Sequence, residues 1–149
     1  MKNVELFQLF AAKAFADLYE SFPVSTTIQP QELAKAVAHG DITERDARIV
    51  AEHTLKWLCN TDYLLKEPHA PFTYVLSARG FEILNASPFP KPLADKPTST
   101  PEIRKQNLGE RFVAAVADAG TEELKSLTKQ ALEWGLWAAI AGAKAHGLA

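Results

Sequence analysis

The stretch TYVLSARGFEIL, residues 73–84, limits what this chain can fold into more than any other. Tyr74, Val75 and Leu76 have the aromatic and branched character of a strand. The run stops at Ser77, and Phe81 and Leu84 then recur at a helical spacing. A serine at such a break accepts hydrogen bonds from the free N–H groups that open a helix, so Ser77 is expected as an N-cap. Gly80 leaves space for that helix to cross close to the preceding strand, with Phe81 and Leu84 entering the core.

The residues before this step define its partners. A strand-like run over 63–66 faces a second over 72–76, and Pro68-His69-Ala70-Pro71 fills the hairpin-length gap between them. Upstream, Val4, Phe7, Ala11, Ala14, Leu18 and Phe22 follow the helical period over 3–22. Leu6, Phe10 and Phe15 widen the stripe, so this helix is expected to be buried on more than one side. Pro23 and Ser25-Thr26-Thr27 end it. Pro30 suits the first position of a second helix, with Leu33, Ala36 and Val37 inward and Gly40 as its stop. Thr43-Glu44-Arg45-Asp46 has the spacing of a capping box opening a third helix. Ala47, Ala51, Thr54, Leu55 and Leu58 are its predicted core positions, which leaves Glu52, His53, Lys56 and Trp57 outward.

Two short helices, a two-stranded wing and a further helix follow one another in this order. The pattern resembles a winged helix-turn-helix domain over about residues 5–86. Thr54-Leu55-Lys56-Trp57-Leu58 with Asp62-Tyr63-Leu64 resembles the end of a recognition helix entering the first wing strand. Val75-Leu76-Ser77-Ala78-Arg79-Gly80 is similar to the step that follows the wing in PadR-like and MarR-like regulators. Asp62 stands where those families often carry glycine. The implied fold class is mainly α with a small β-hairpin wing.

The domain division expected is a winged module over 1–86, a proline-rich linker over 87–101 and a C-terminal helical hairpin over 102–149. Thr100-Pro101-Glu102 resembles a helix start, with Leu108, Phe112, Val113 and Val116 as the apolar side and Gly120 as a stop. Thr121-Glu122-Glu123 then opens the last helix with acidic residues at its positive end. There Gly135, Ala139 and Gly142 interleave with Trp134 and Trp137. Two glycines in an exposed helix cost about 2 kcal/mol against alanine, so packing is expected to offset them. That packing lies either on the chain's own first helix or on a second copy. Phe7, Phe10, Phe15, Trp134, Gly135, Trp137, Ala139 and Gly142 are the candidates for packing or dimerisation, and a homodimer is expected.

The resemblance implies contact with double-stranded DNA and a regulatory role in transcription. Arg45, Arg48, His53, Lys56, Trp57 and Lys66 are the candidate contacts. Charge argues the other way. The chain carries a formal charge of −2, and residues 1–90 hold eight Lys/Arg against eleven Asp/Glu. A non-catalytic adaptor that binds protein through the same surface is the alternative. Enzymatic activity, a cofactor and a metal are not expected. His39, His53, His69 and His146 are scattered, and no nucleophile elbow or phosphate loop is present. The single cysteine, Cys59, excludes an internal disulfide, and with no signal-peptide pattern at the N-terminus the expected location is the cytoplasm. The longest apolar run, 134–143, falls well short of the roughly 20 residues that span a bilayer, so no membrane partner is expected.

Overall fold

The computed structural model describes residues 2–36, 41–86, 106–118 and 120–145, with side chains as far as residue 136. Val37, His39, Gly40, the 87–101 linker, the helix start at Thr100-Pro101-Glu102 and His146 lie outside the described residues. So do the side chains of Trp137, Ala139 and Gly142. In chain order the elements are α1 (Asn3–Ser21), β1 (Thr26–Thr27), α2 (Pro30–Ala36), α3 (Glu44–Asn60), β2 (Leu64–Lys66), β3 (Thr73–Leu76), α4 (Ala78–Asn85), α5 (Leu108–Ala117) and α6 (Thr121–Ala145). The fold is mainly helical with one small antiparallel sheet, and no described helix is long and apolar enough to cross a membrane.

The strand-to-helix step forms as the residues dictate. Ser77 Oγ accepts from the Gly80 N–H at 3.0 Å, which caps α4. The same oxygen donates to the Asp62 carbonyl at 2.6 Å, tying the start of α4 to the exit of α3. A Cβ at Gly80 would collide with the Tyr63 carbonyl, so glycine is required by proximity. Gly80, Ile83 and Leu84 are the buried residues on this helix, whereas Phe81 is half-buried and stacks on Phe22 at 4.1 Å.

β2 and β3 pair antiparallel, with Leu64 opposite Leu76. Reading Thr26-Thr27 only as a helix terminator missed a third strand. These two residues form β1 and pair with Tyr74 and Thr73, giving the sheet order β1-β3-β2. The Ile28 N–H extends this edge by donating to the Phe72 carbonyl at 2.7 Å.

α3 opens where Thr43 Oγ1 accepts from the Asp46 N–H at 3.1 Å. Its buried residues are Ala47, Ala51, Thr54, Leu55 and Leu58, the five expected. It closes in a Schellman arrangement. The Tyr63 N–H donates to the Leu58 carbonyl at 2.9 Å, and the Asp62 N–H donates to the Cys59 carbonyl at 3.1 Å. Asp62 sits at the left-handed position of that motif with φ 65°, where glycine would carry no steric penalty.

α1 is the centre of the core. Leu6, Leu9, Phe10, Phe15 and Leu18 are all buried, so the helix is covered on several sides. Val4 is the exception among the expected inward positions, because it lines an open cleft between α1, α3 and α6 and remains 65% exposed. Ala36, at the last residue of α2, is exposed as well. α5 begins at Asn107, whose side chain accepts from the Glu110 N–H at 2.8 Å and donates to Tyr19 Oη at 2.8 Å. Phe112 then meets Phe15 with ring centroids 5.6 Å apart. α6 lies on α1, where Thr128 Oγ1 donates to the Gln8 carbonyl at 2.8 Å. Leu127 and Ala131 are fully buried in the same core.

Candidate interaction surface on helix α3

The five buried residues of α3 occupy one side and leave the remainder of its circumference for other contacts. Arg45, Arg48, Glu52 and Lys56 follow at steps of three and four residues, so they form one exposed band. No described residue forms a salt bridge with Arg45, Arg48 or Lys56. Glu44, at the helix start, meets Lys35 of α2 at 3.9 Å, which partly neutralises the acidic end of this band. Lys66 is exposed on β2, and its charge reaches Cys59 on the last turn of α3. Burial pushes the Cys59 thiol above its ordinary value, and Lys66 offsets part of that rise.

A second band on α3 is apolar. Ile49 is 40% exposed and Trp57 43% exposed, with His53 between them at four-residue steps. They line one wall of a cleft of about 510 Å³ whose other wall holds Val4 and Phe7 of α1 and Leu132 of α6. Trp57 meets Phe7 edge-on, with centroids 5.2 Å apart. On its far side Trp57 lies nearly parallel to Tyr63, at 6.2 Å and 18°. There a second cleft of about 530 Å³ continues along Asn60, Tyr63, Arg79, Leu132 and Leu136. Leu136 is 61% exposed.

Arg79 closes the far end of this surface. Its Nη1 donates to the Thr61 carbonyl at 2.9 Å, and its guanidinium carbon stands 4.6 Å over the Tyr63 ring. Its Nε is buried without a hydrogen-bond partner among the described residues. Burial of Tyr63 raises its phenol above the ordinary value, with Arg79 opposing the shift.

The residues singled out from sequence thus divide. Arg45, Arg48, His53, Lys56 and Trp57 share the exposed side of α3, and Lys66 stands apart on β2. Phe10 and Phe15 are consumed in the chain's own core. Phe7 is half-buried against Trp57, and Trp134 packs partly on the core. Gly135 is buried where a Cβ would collide with Tyr63 Oη, so for α6 as far as Leu136 the tight packing is within the chain. The groove beside Trp57 escaped sequence reading because three elements supply its walls. Its available signals were Ile49 and the outward Trp57, two large apolar residues outside the predicted core stripe.

Among the described residues, no group of three or more His, Cys, Asp or Glu side chains could hold a metal ion. No family model, curated protein or solved structure matches the chain.

Proposed function

We propose that residues 3–86 are a winged helix-turn-helix module that works by binding double-stranded DNA, not by catalysis, and so serves as a regulator or accessory of transcription. The element order α1-β1-α2-α3-β2-β3 and the sheet order β1-β3-β2 support the winged-helix reading. In it α3 is the recognition helix and the β2–β3 hairpin is the wing. The observation that carries the functional step is the exposed band Arg45, Arg48 and Lys56 along α3.

The expected affinity is modest. Glu52 interrupts the band, so about three cations are available for phosphate contact. Neutralising three phosphates gives a slope of log K on log salt of about −3. Fluorescence anisotropy with labelled mixed-sequence duplexes tests this across a salt series. Lys56→Ala and Arg45→Ala are each expected to lower the slope by about one unit. Absence of any salt-dependent association at low ionic strength removes the DNA reading and leaves the protein adaptor.

The homodimer expected from the sequence has fewer surfaces to use than the sequence implied. Phe10, Phe15 and Gly135 are covered by the chain itself. Sedimentation at micromolar concentration reads the oligomeric state directly.

A further inference from the structure

We infer that Glu52 is the base-reading residue of α3 and that it selects cytosine in the major groove. This rests on the DNA reading above and adds to it the base that the site prefers.

The order of charges along α3 comes first. Arg45, Arg48, Glu52 and Lys56 are all exposed, at steps of three and four residues. Glu52 stands midway between two cations, one turn from each. Among the described residues its carboxylate forms no salt bridge, with Arg48, Lys56 or any other cation. Its acceptor oxygens are therefore open to a ligand. Glu44 and Asp46, the other carboxylates of α3, lie in its first turn, and Lys35 stands 3.9 Å from Glu44.

Dimensions set Glu52 over the bases. At 1.5 Å per residue, Arg48 and Lys56 stand about 12 Å apart along the helix. The major groove is about 12 Å wide, with phosphates along both of its edges. In the pose where Arg48 and Lys56 meet phosphates on opposite edges, Glu52 lies about 6 Å from each, above the groove floor. Within the band, that is where a carboxylate meets the least repulsion from phosphate.

Chemistry names the base. An ionised carboxylate only accepts hydrogen bonds, so it needs a donor on the base edge. Guanine shows N7 and O6 in the major groove and thymine shows O4, all of them acceptors. Adenine offers its N6 amine, but the acceptor N7 lies beside it. Cytosine offers its N4 amine with no acceptor next to it in that groove. Glu52 accepts from this amine and repels guanine and thymine.

The test is selection of duplexes from a randomised pool on the wild-type chain, Glu52→Gln and Glu52→Ala, followed by anisotropy on the selected sites. Wild-type sites are expected to share one C·G pair, and its replacement by T·A should weaken binding about tenfold or more. With Glu52→Gln the preference at that position should move to adenine, whose N6 and N7 match a glutamine amide. With Glu52→Ala it should vanish. Both variants should bind mixed-sequence duplexes at least as tightly as the wild type, because a negative charge has been removed. Glu52 is exposed, and an unchanged Tm verifies that both variants fold. Salt-dependent wild-type binding without a selected cytosine, or a cytosine preference that survives in Glu52→Ala, overturns the inference and leaves the DNA reading standing. No salt-dependent binding of the wild-type chain to any duplex overturns both.

Discussion

Ser77 makes two bonds with one hydroxyl. It accepts from the Gly80 N–H and donates to the Asp62 carbonyl while only 3% exposed. Loss of an N-cap costs about 1 kcal/mol, and the second bond adds a similar amount. Ser77→Ala is therefore expected to lower stability by about 2 kcal/mol in urea unfolding, with Ser77→Thr recovering part of it. Asp62 gives the opposite sign. Its φ of 65° is a left-handed conformation that glycine adopts freely, so Asp62→Gly should raise stability by about 0.5–1 kcal/mol in the same measurement. Tyr63 and Tyr74 bring a pH dependence. Burial lifts both phenols above their ordinary value of 10.0. The unfolded chain then releases these protons first as pH rises. Their contribution is full below about pH 10 and is lost as pH climbs through the higher folded values. Unfolding free energy should fall on the alkaline side, and Tyr63→Phe should flatten that fall.

At the scale of elements, α6 is held against the rest of the fold by contacts that leave no space at Gly135. A Cβ there meets Tyr63 Oη and the Ile83 side chain, so Gly135→Ala should cost about 1–3 kcal/mol and shift the Tyr63 resonances. Legibility from sequence also differs by element. α3 was legible because its five core positions and its Thr43 cap are local patterns that one helix satisfies by itself. β1 was not, since Thr26 and Thr27 form a strand only through pairing with Tyr74 and Thr73, some 46 residues away in the case of the Thr27–Thr73 hydroxyl pair. Val4 was assigned inward by period alone, but a period says nothing about whether the neighbouring helices close over a position or leave a cleft there. For the surface, the outward residues of α3 were readable from its wheel. The groove was not, because Val4, Trp57 and Leu132 meet only in three dimensions.

For the molecule as a whole, the core runs without interruption from α1 through the sheet to α5 and α6. Phe15 rests on Phe112, and Leu127 and Ala131 complete the cover. A chain cut after Ala86 should therefore lack cooperative unfolding and dispersed amide resonances, even though it keeps every residue of the winged-helix resemblance. A heat-capacity peak in calorimetry of residues 1–86 would count against this. The bond between Thr128 and the Gln8 carbonyl spans 120 positions. A ribosome adds about 5–20 residues each second, so α1 waits on the order of ten seconds after emerging before α6 exists to cover it. Throughout that interval Phe10 and Phe15 lack their final neighbours, and the nascent chain is a client for whatever holds apolar helices at the tunnel exit.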